Sequence, residues 1–184
     1  MPTSTETKLN LSTTLPLLHT KNLHPIPQLG FGVYQSPPEV CKKSCLAALS
    51  SGYRHIDTAQ YYANESQVGE ALKESGIPRS SVFVTSKILS AGKDVDESYR
   101  KIVDSVEKIG GGYVDLFLIH SPNAGKEARE NMWRALEKAR KEEKVKAIGV
   151  SNYGREHIEE MKEYAETWPP SVNQIEVRVF ISNV

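Results

Sequence analysis

The chain has 184 residues, 39% of them hydrophobic, with 23 basic and 23 acidic side chains. That length supports one sizeable core rather than two independent domains. The balanced charge, without a basic stripe or interleaved aromatics, excludes the electrostatic footprint of a nucleic-acid binder, and the apolar runs fall far short of the roughly 20 residues that span a bilayer.

The N-terminal stretch Met1 to Thr14 is polar, with no apolar core and no arginine, which sets the expectation of a cytoplasmic protein. Leu15-Pro16-Leu17-Leu18 and Pro25-Ile26-Pro27 flank a polar turn and are predicted to form a small hairpin. Beyond them, short β-rich runs alternate with helical periodicity. The runs are a first one near Gln28 to Gly32, then Tyr53–Ile56, Val82–Thr85, Val114–Ile119, Val145–Val150 and Ser171–Gln174, giving six candidate strands. Between them, apolar residues recur on one helical face, as in Tyr99, Ile102, Val103 and Val106, or Met132, Ala135, Leu136 and Ala139.

Ser36 followed by Pro37 and Pro38 reads as a helix start, and Gly76 and Gly110 stand where the second and third helices should end. Cys41 and Cys45, four apart in a helical segment, stack on one face and read as reduced core thiols. Asn10-Leu11-Ser12 and Asn64-Glu65-Ser66 match the glycosylation sequon, a match discounted without a secretory signal.

Strands separated by helices imply right-handed crossovers and a parallel sheet, either doubly wound or closed as a barrel. No G-x-G-x-x-G opens a helix after the first strand, which favours the barrel. A complete barrel takes about 250 residues and eight βα units, so the six strands predict an incomplete one. In such sheets the site lies at the carboxyl ends of the strands. Asp57 follows the second run, Lys87 the third, His120 the fourth and Ser151-Asn152 the fifth, and Gln174 ends the sixth. Tyr62 lies in the loop after Asp57.

Taken singly, Asp57 reads as a turn former, Lys87 as a solvated lysine and His120 as a structural histidine, while Tyr61 and Tyr62 divide between packing and solvent. Taken together they make an acid, a cation, a phenol and an imidazole around one mouth, with no cysteine or histidine cluster spaced for metal. A tyrosine titrates near 10 in water. A nearby ammonium favours the phenolate, so Lys87, held by Asp57, is expected to lower the pKa of Tyr62. His120 then orients a substrate oxygen, and the chemistry is proton transfer to a developing alkoxide. Ser86 and Ser121 lack the surroundings of a nucleophile elbow.

The stretch Gly52-Tyr53-Arg54-His55-Ile56-Asp57-Thr58-Ala59-Gln60-Tyr61-Tyr62-Ala63-Asn64-Glu65, followed by Val68-Gly69, resembles the aldo-keto reductase signature. Thr85-Ser86-Lys87, Leu118-Ile119-His120-Ser121-Pro122, Ile148-Gly149-Val150-Ser151-Asn152 and Asn173-Gln174-Ile175-Glu176 resemble that family's next blocks in order.

The resemblance implies an eight-stranded βα barrel of the TIM type, closed below by an N-terminal hairpin and here incomplete. It implies NADP(H) as cofactor and a small aldehyde or ketone as substrate. Tyr62 would be the proton donor, Lys87 and Asp57 would tune it, and His120 would orient the carbonyl. Ser151, Asn152 and Gln174 would hold the nicotinamide carboxamide, and Gly32, Val33 and Tyr34 would line the cofactor and substrate pocket, with Tyr34 where many relatives place tryptophan.

The likeness covers about residues 15–177 of a single domain spanning 1–184, with a divergent tail over 178–184 and no counterpart of the last two βα units. A second reading follows from that shortened barrel: a catalytically impaired isoform, or a cofactor-binding regulatory or interaction protein, associating through an open sheet edge.

Overall fold

The computed structural model describes residues 10–20 and 24–176; Val177 and the tail 178–184 lie outside the described residues. The chain opens on an antiparallel hairpin of β1 (Thr14–Pro16) and β2 (Pro25–Pro27), in which Leu15 faces Ile26. Six strands follow: β3 (Phe31–Gly32), β4 (His55–Asp57), β5 (Phe83–Ile88), β6 (Val114–Ile119), β7 (Val145–Ser151) and β8 (Asn173–Gln174). Helices α1 (Pro38–Ser50), α2 (Glu65–Glu74), α3 (Val95–Ile109) and α4 (Lys126–Lys141) connect the first five, and α5 (Arg155–Glu160) precedes β8. The strands pair in sequence order, and every pair is parallel.

One hydrogen bond decides between an open and a curled sheet. Strands β4 and β8 stand four spacings apart, about 19 Å in a flat sheet. Yet Gln174 Nε2 on β8 donates to Asp57 Oδ2 on β4 at 2.8 Å. Two side chains of this length cannot bridge the flat distance, so the sheet curls and its carboxyl ends converge, as in part of a TIM-type barrel.

Both faces of the curled sheet are buried, as expected where helices cover a parallel sheet. Ile56, Val84, Ile88, Phe117, Ile119, Ile148 and Val150 join the helix-facing core, where the predicted set Met132, Ala135, Leu136 and Ala139 of α4 is fully enclosed. On the inner face Phe83, Leu116, Leu118 and Ala147 meet Leu17, with Ile26 packed against them, so the hairpin plugs the amino-terminal end of the barrel. Asp115 is fixed beneath them. It accepts from His24 Nε2 at 2.8 Å, from Arg79 Nη2 at 2.7 Å and from the Val84 amide at 2.9 Å.

Helix boundaries match the punctuation with one exception. Gly110, at φ +81°, ends α3, and Gly76, at φ +67°, lies just past α2. At α1 the cap is Pro37, in extended conformation and without a side-chain hydrogen bond, rather than Ser36. The fixed φ of Pro37 carries the chain into the helix one residue later, and the Ser36 amide instead donates to Val33 O at 3.1 Å, closing a turn. Cys41 and Cys45 are free and buried. No described helix is long and apolar enough to cross a membrane.

Candidate active site

The carboxyl ends of the strands surround an open cavity of about 970 Å³ lined by Tyr34, Gln35, Asp57, Tyr61, Tyr62, His120, Ser151, Asn152, Gln174, Ile175 and Glu176. Asp57 ends β4, Ser151 ends β7 and Gln174 ends β8, while Lys87 is the next-to-last residue of β5. His120 directly follows β6, and Tyr62 ends a 3-10 turn over Gln60–Tyr62. Val33 packs into the core at 1% exposure, whereas Gly32 faces open space, where an added methyl would meet nothing within 4 Å.

Lys87 forms the floor. At 1% exposure it is no solvated lysine, and burying an ammonium is tolerable only with partners. Its Nζ donates to Asp57 Oδ1 at 2.5 Å, to Thr58 O at 3.0 Å and to Tyr62 Oη at 3.5 Å. Burial pulls the Lys87 ammonium below the ordinary lysine range, and Asp57 opposes that pull.

The direction at Tyr62 is opposite to the expectation from sequence. Burial, then the negative charge of Asp57, then Tyr34, push its phenol up to about 12. The Lys87 ammonium is matched by the Asp57 carboxylate it touches, so the pair offers the phenol little net positive charge to favour a phenolate. Tyr62 therefore stands as a neutral O–H donor. Burial, then Lys87, hold His120 below the usual imidazole range. The His120 ring packs edge-on to Tyr62 with centroids 5.6 Å apart, and its Nδ1 is buried without a hydrogen-bond partner. The adjacent tyrosines divide as expected, with Tyr61 62% exposed and Tyr62 packed partly against the core.

Opposite the phenol, three polar residues interlock. Ser151 Oγ donates to Gln174 O at 3.0 Å, and Asn152 Nδ2 donates to His120 O at 3.2 Å and Ser151 Oγ at 3.0 Å. Asn152 is left-handed at φ +61°, and its amide donates to Gln174 O at 2.9 Å. Because Gln174 also donates to Asp57, the carboxamide-bearing wall and the Lys87 floor form one network.

Several supporting residues escaped the sequence reading. Glu65 is buried and accepts from Ser86 Oγ at 2.5 Å and Ser105 Oγ at 3.2 Å, while Gln60 Nε2 donates to Ser105 Oγ at 2.9 Å. Ser86 is thus a structural donor turned away from the cavity, and Ser121 caps the following turn by accepting from the Asn123 amide at 3.2 Å. A serine at position 105 on the apolar face of α3 was the available signal for a buried partner. Asn64 is 0% exposed, so its sequon offers no accessible amide. Gln35 lines the mouth without any motif to mark it, and Ile175 and Glu176, inside the Asn173–Glu176 block, line it beside Gln174.

A family model for the aldo/keto reductase family matches residues 28–184. The chain belongs to the aldo/keto reductase family. It is 41% identical over 152 residues to glyoxal reductase of Bacillus subtilis, an alignment covering 82% of this chain and 54% of that protein. The crystal structure of an aldo/keto reductase from Brucella melitensis superposes with a TM-score of 0.82 at 39% identity, covering 90% of this chain and 63% of the other. A Bombyx mori aldo-keto reductase solved in complex with NADP superposes with a TM-score of 0.78 at 30% identity, covering 90% and 59%. This aldo/keto reductase chain therefore spans less than two thirds of these relatives, and the parallel curled sheet with its N-terminal hairpin is the part it shares with them.

Proposed function

We propose that the site reduces the carbonyl group of a small aldehyde or ketone with NADP(H), with Tyr62 as the proton donor. The observation that carries this reading is the buried Lys87, held between Asp57, Thr58 and Tyr62 directly beneath a mouth shared with His120. A lysine so enclosed has a task at that mouth, because an ordinary lysine keeps its ammonium in water.

The residues fit a nicotinamide cofactor. Asn152 and Gln174 present amide groups at the cavity wall beside Ser151, a set able to match both the donor and the acceptor of a carboxamide. Tyr34 adds an exposed aromatic surface on the other side. The bound cofactor would supply the hydride. This chain's residues supply the rest: a neutral His120 N–H orients the carbonyl oxygen, and the Tyr62 O–H gives its proton to that oxygen as charge develops there. An alkoxide is a much stronger base than a phenolate, so even a phenol raised to about 12 transfers its proton downhill. The Lys87 ammonium, fixed by Asp57, lies 3.5 Å from the oxygen on which the phenolate charge appears. The NADP-bound Bombyx mori reductase and the Bacillus subtilis glyoxal reductase favour NADP and small carbonyls such as glyoxal, and two free buried thiols suit a reducing, cytoplasmic setting.

The test is NADPH binding to the folded 184-residue chain by fluorescence quenching, followed by turnover of a small aldehyde. Tyr62→Phe should lower kcat by about 10²- to 10⁴-fold while leaving cofactor binding within a small factor of the parent. Equal turnover by the parent and Tyr62→Phe removes Tyr62 as donor, and no NADPH binding by the folded parent removes the reductase reading.

A further inference from the structure

The wall that brings Tyr34 and Gln35 to the cavity is a single tight turn, Val33 to Ser36, closed by the Ser36 amide on Val33 O at 3.1 Å. It is an uncomfortable turn. Gln35 sits at φ +59°, in the left-handed region where a residue with a Cβ is disfavoured. Tyr34 is 59% exposed, so little packing fixes its ring, yet its centroid lies 5.0 Å from that of Tyr62.

What fixes the turn is one side chain from the next unit. Asn64, wholly buried, donates through Nδ2 to Val33 O at 3.0 Å and to Ser36 O at 3.1 Å, the carbonyls at the two ends of the turn. Its Oδ1 accepts from Thr58 Oγ1 at 2.7 Å. The amide orientation is unambiguous, because the reverse would set its oxygen against two carbonyl oxygens. Thr58 is equally buried, its amide donates to Thr85 O at 2.9 Å, and its carbonyl accepts from Lys87. A continuous chain of hydrogen bonds thus runs from Lys87 through Thr58 and Asn64 to the turn.

We propose that Asn64 is a positioning residue: it clamps the strained Val33–Ser36 turn shut and so holds the Tyr34–Gln35 wall of the cavity against Tyr62. Asn64 touches no reacting atom. Its effect on catalysis, which rests on the carbonyl-reductase reading, is on how the substrate is held, so loosening it raises KM more than it lowers kcat. Its effect on the turn does not depend on that reading.

Two measurements on the 184-residue chain read the turn directly: the nuclear Overhauser effect between the Tyr34 and Tyr62 rings, and hydrogen exchange at the Ser36 amide. Asn64→Ala should abolish the ring contact and speed Ser36 exchange on the order of tenfold, the equivalent of one lost hydrogen bond. Adding Gln35→Gly to Asn64→Ala should restore Ser36 protection, because glycine adopts the left-handed conformation without strain. General loosening of the fold would not be rescued this way.

Unchanged ring contact and exchange in folded Asn64→Ala overturn the proposal. Where circular dichroism shows Asn64→Ala unfolded, Thr58→Val decides. That variant removes the hydroxyl that orients the amide, so faster Ser36 exchange supports the clamp and unchanged exchange overturns it. A parent chain that binds no NADPH and turns over no aldehyde sinks the reductase reading alone, leaving ring contact and exchange to decide the clamp.

Discussion

The candidate site places three ionisable side chains where water is scarce, and each responds in the direction burial dictates: the Tyr62 phenol up, the Lys87 ammonium and the His120 imidazole down. Each stays nearer its neutral form than it would in solvent. The same physics gives a stability prediction at His55, which is 8% exposed, with an Nε2 bond to Thr85 Oγ1 at 2.9 Å. Burial depresses its pKa below the usual histidine value, against an opposing pull from Asp57. The unfolded chain therefore takes up this proton first as the solution is acidified. The stability His55 contributes is complete above its unfolded value of about 6.5 and drains away as pH falls below it toward the depressed native value. Urea melts at pH 7.5 and 5.5 should show the loss, and His55→Gln should show a smaller pH difference than the parent. An unchanged difference would assign the acid sensitivity elsewhere.

At the scale of elements, the site depends on strands approaching more closely than side chains ordinarily allow. Gly149 on β7 shows this. A methyl there would fall 2.5 Å from Val172 O and 2.8 Å from Leu118 Cδ2. The strand leading into β8 is held at that point by the Val150 amide on Val172 O at 2.9 Å and the Ser171 amide on Ile148 O at 3.0 Å. Gly149→Ala should push β8 outward, cost about 1–3 kcal/mol, and separate Gln174 from Asp57. The expected readouts are a melting temperature lower by several degrees and weaker NADPH binding. A normal melt with intact binding would mean that β7 and β8 yield more easily than their spacing implies. Arg129 supports the other side of the mouth: it pairs with Glu160 of α5 at 2.8 Å and donates to Pro122 O at 2.8 Å, tying α4 to the segments after His120 and Asn152.

For the whole molecule, curling the sheet creates an inner face that must be closed at its lower end. The hairpin does this with Leu17, 4% exposed, seated on the layer of Phe83, Leu116, Leu118 and Ala147. Leu17→Ala should destabilise the chain by about 2–5 kcal/mol, the range for a large-to-small change in a core, and increase binding of a dye that reports apolar surface. An unchanged urea midpoint would show that the hairpin merely lies against the barrel. The two outer strands of the six-stranded sheet, β3 and β8, each contribute two residues to the ladder. Edge strands this short offer little template for pairing with another chain.

Local periodicity and punctuation were enough for the alternation of strands and helices, the hairpin, and the carboxyl-end positions of Asp57, Lys87, His120, Ser151-Asn152 and Gln174. The sequence also marked Tyr62, through a motif whose spacing is local. The fold had to be in hand to see that Gln174 on β8 reaches Asp57 on β4, that Lys87 is buried, that the Tyr62 phenol moves up rather than down, and that Asn64 and Glu65 are buried behind the mouth on partners from other elements. Those outcomes depend on curvature and on burial summed over elements distant in the chain. Neither quantity is carried by any short stretch of residues, and a buried polar side chain reveals its purpose only when its partners from other elements are in place.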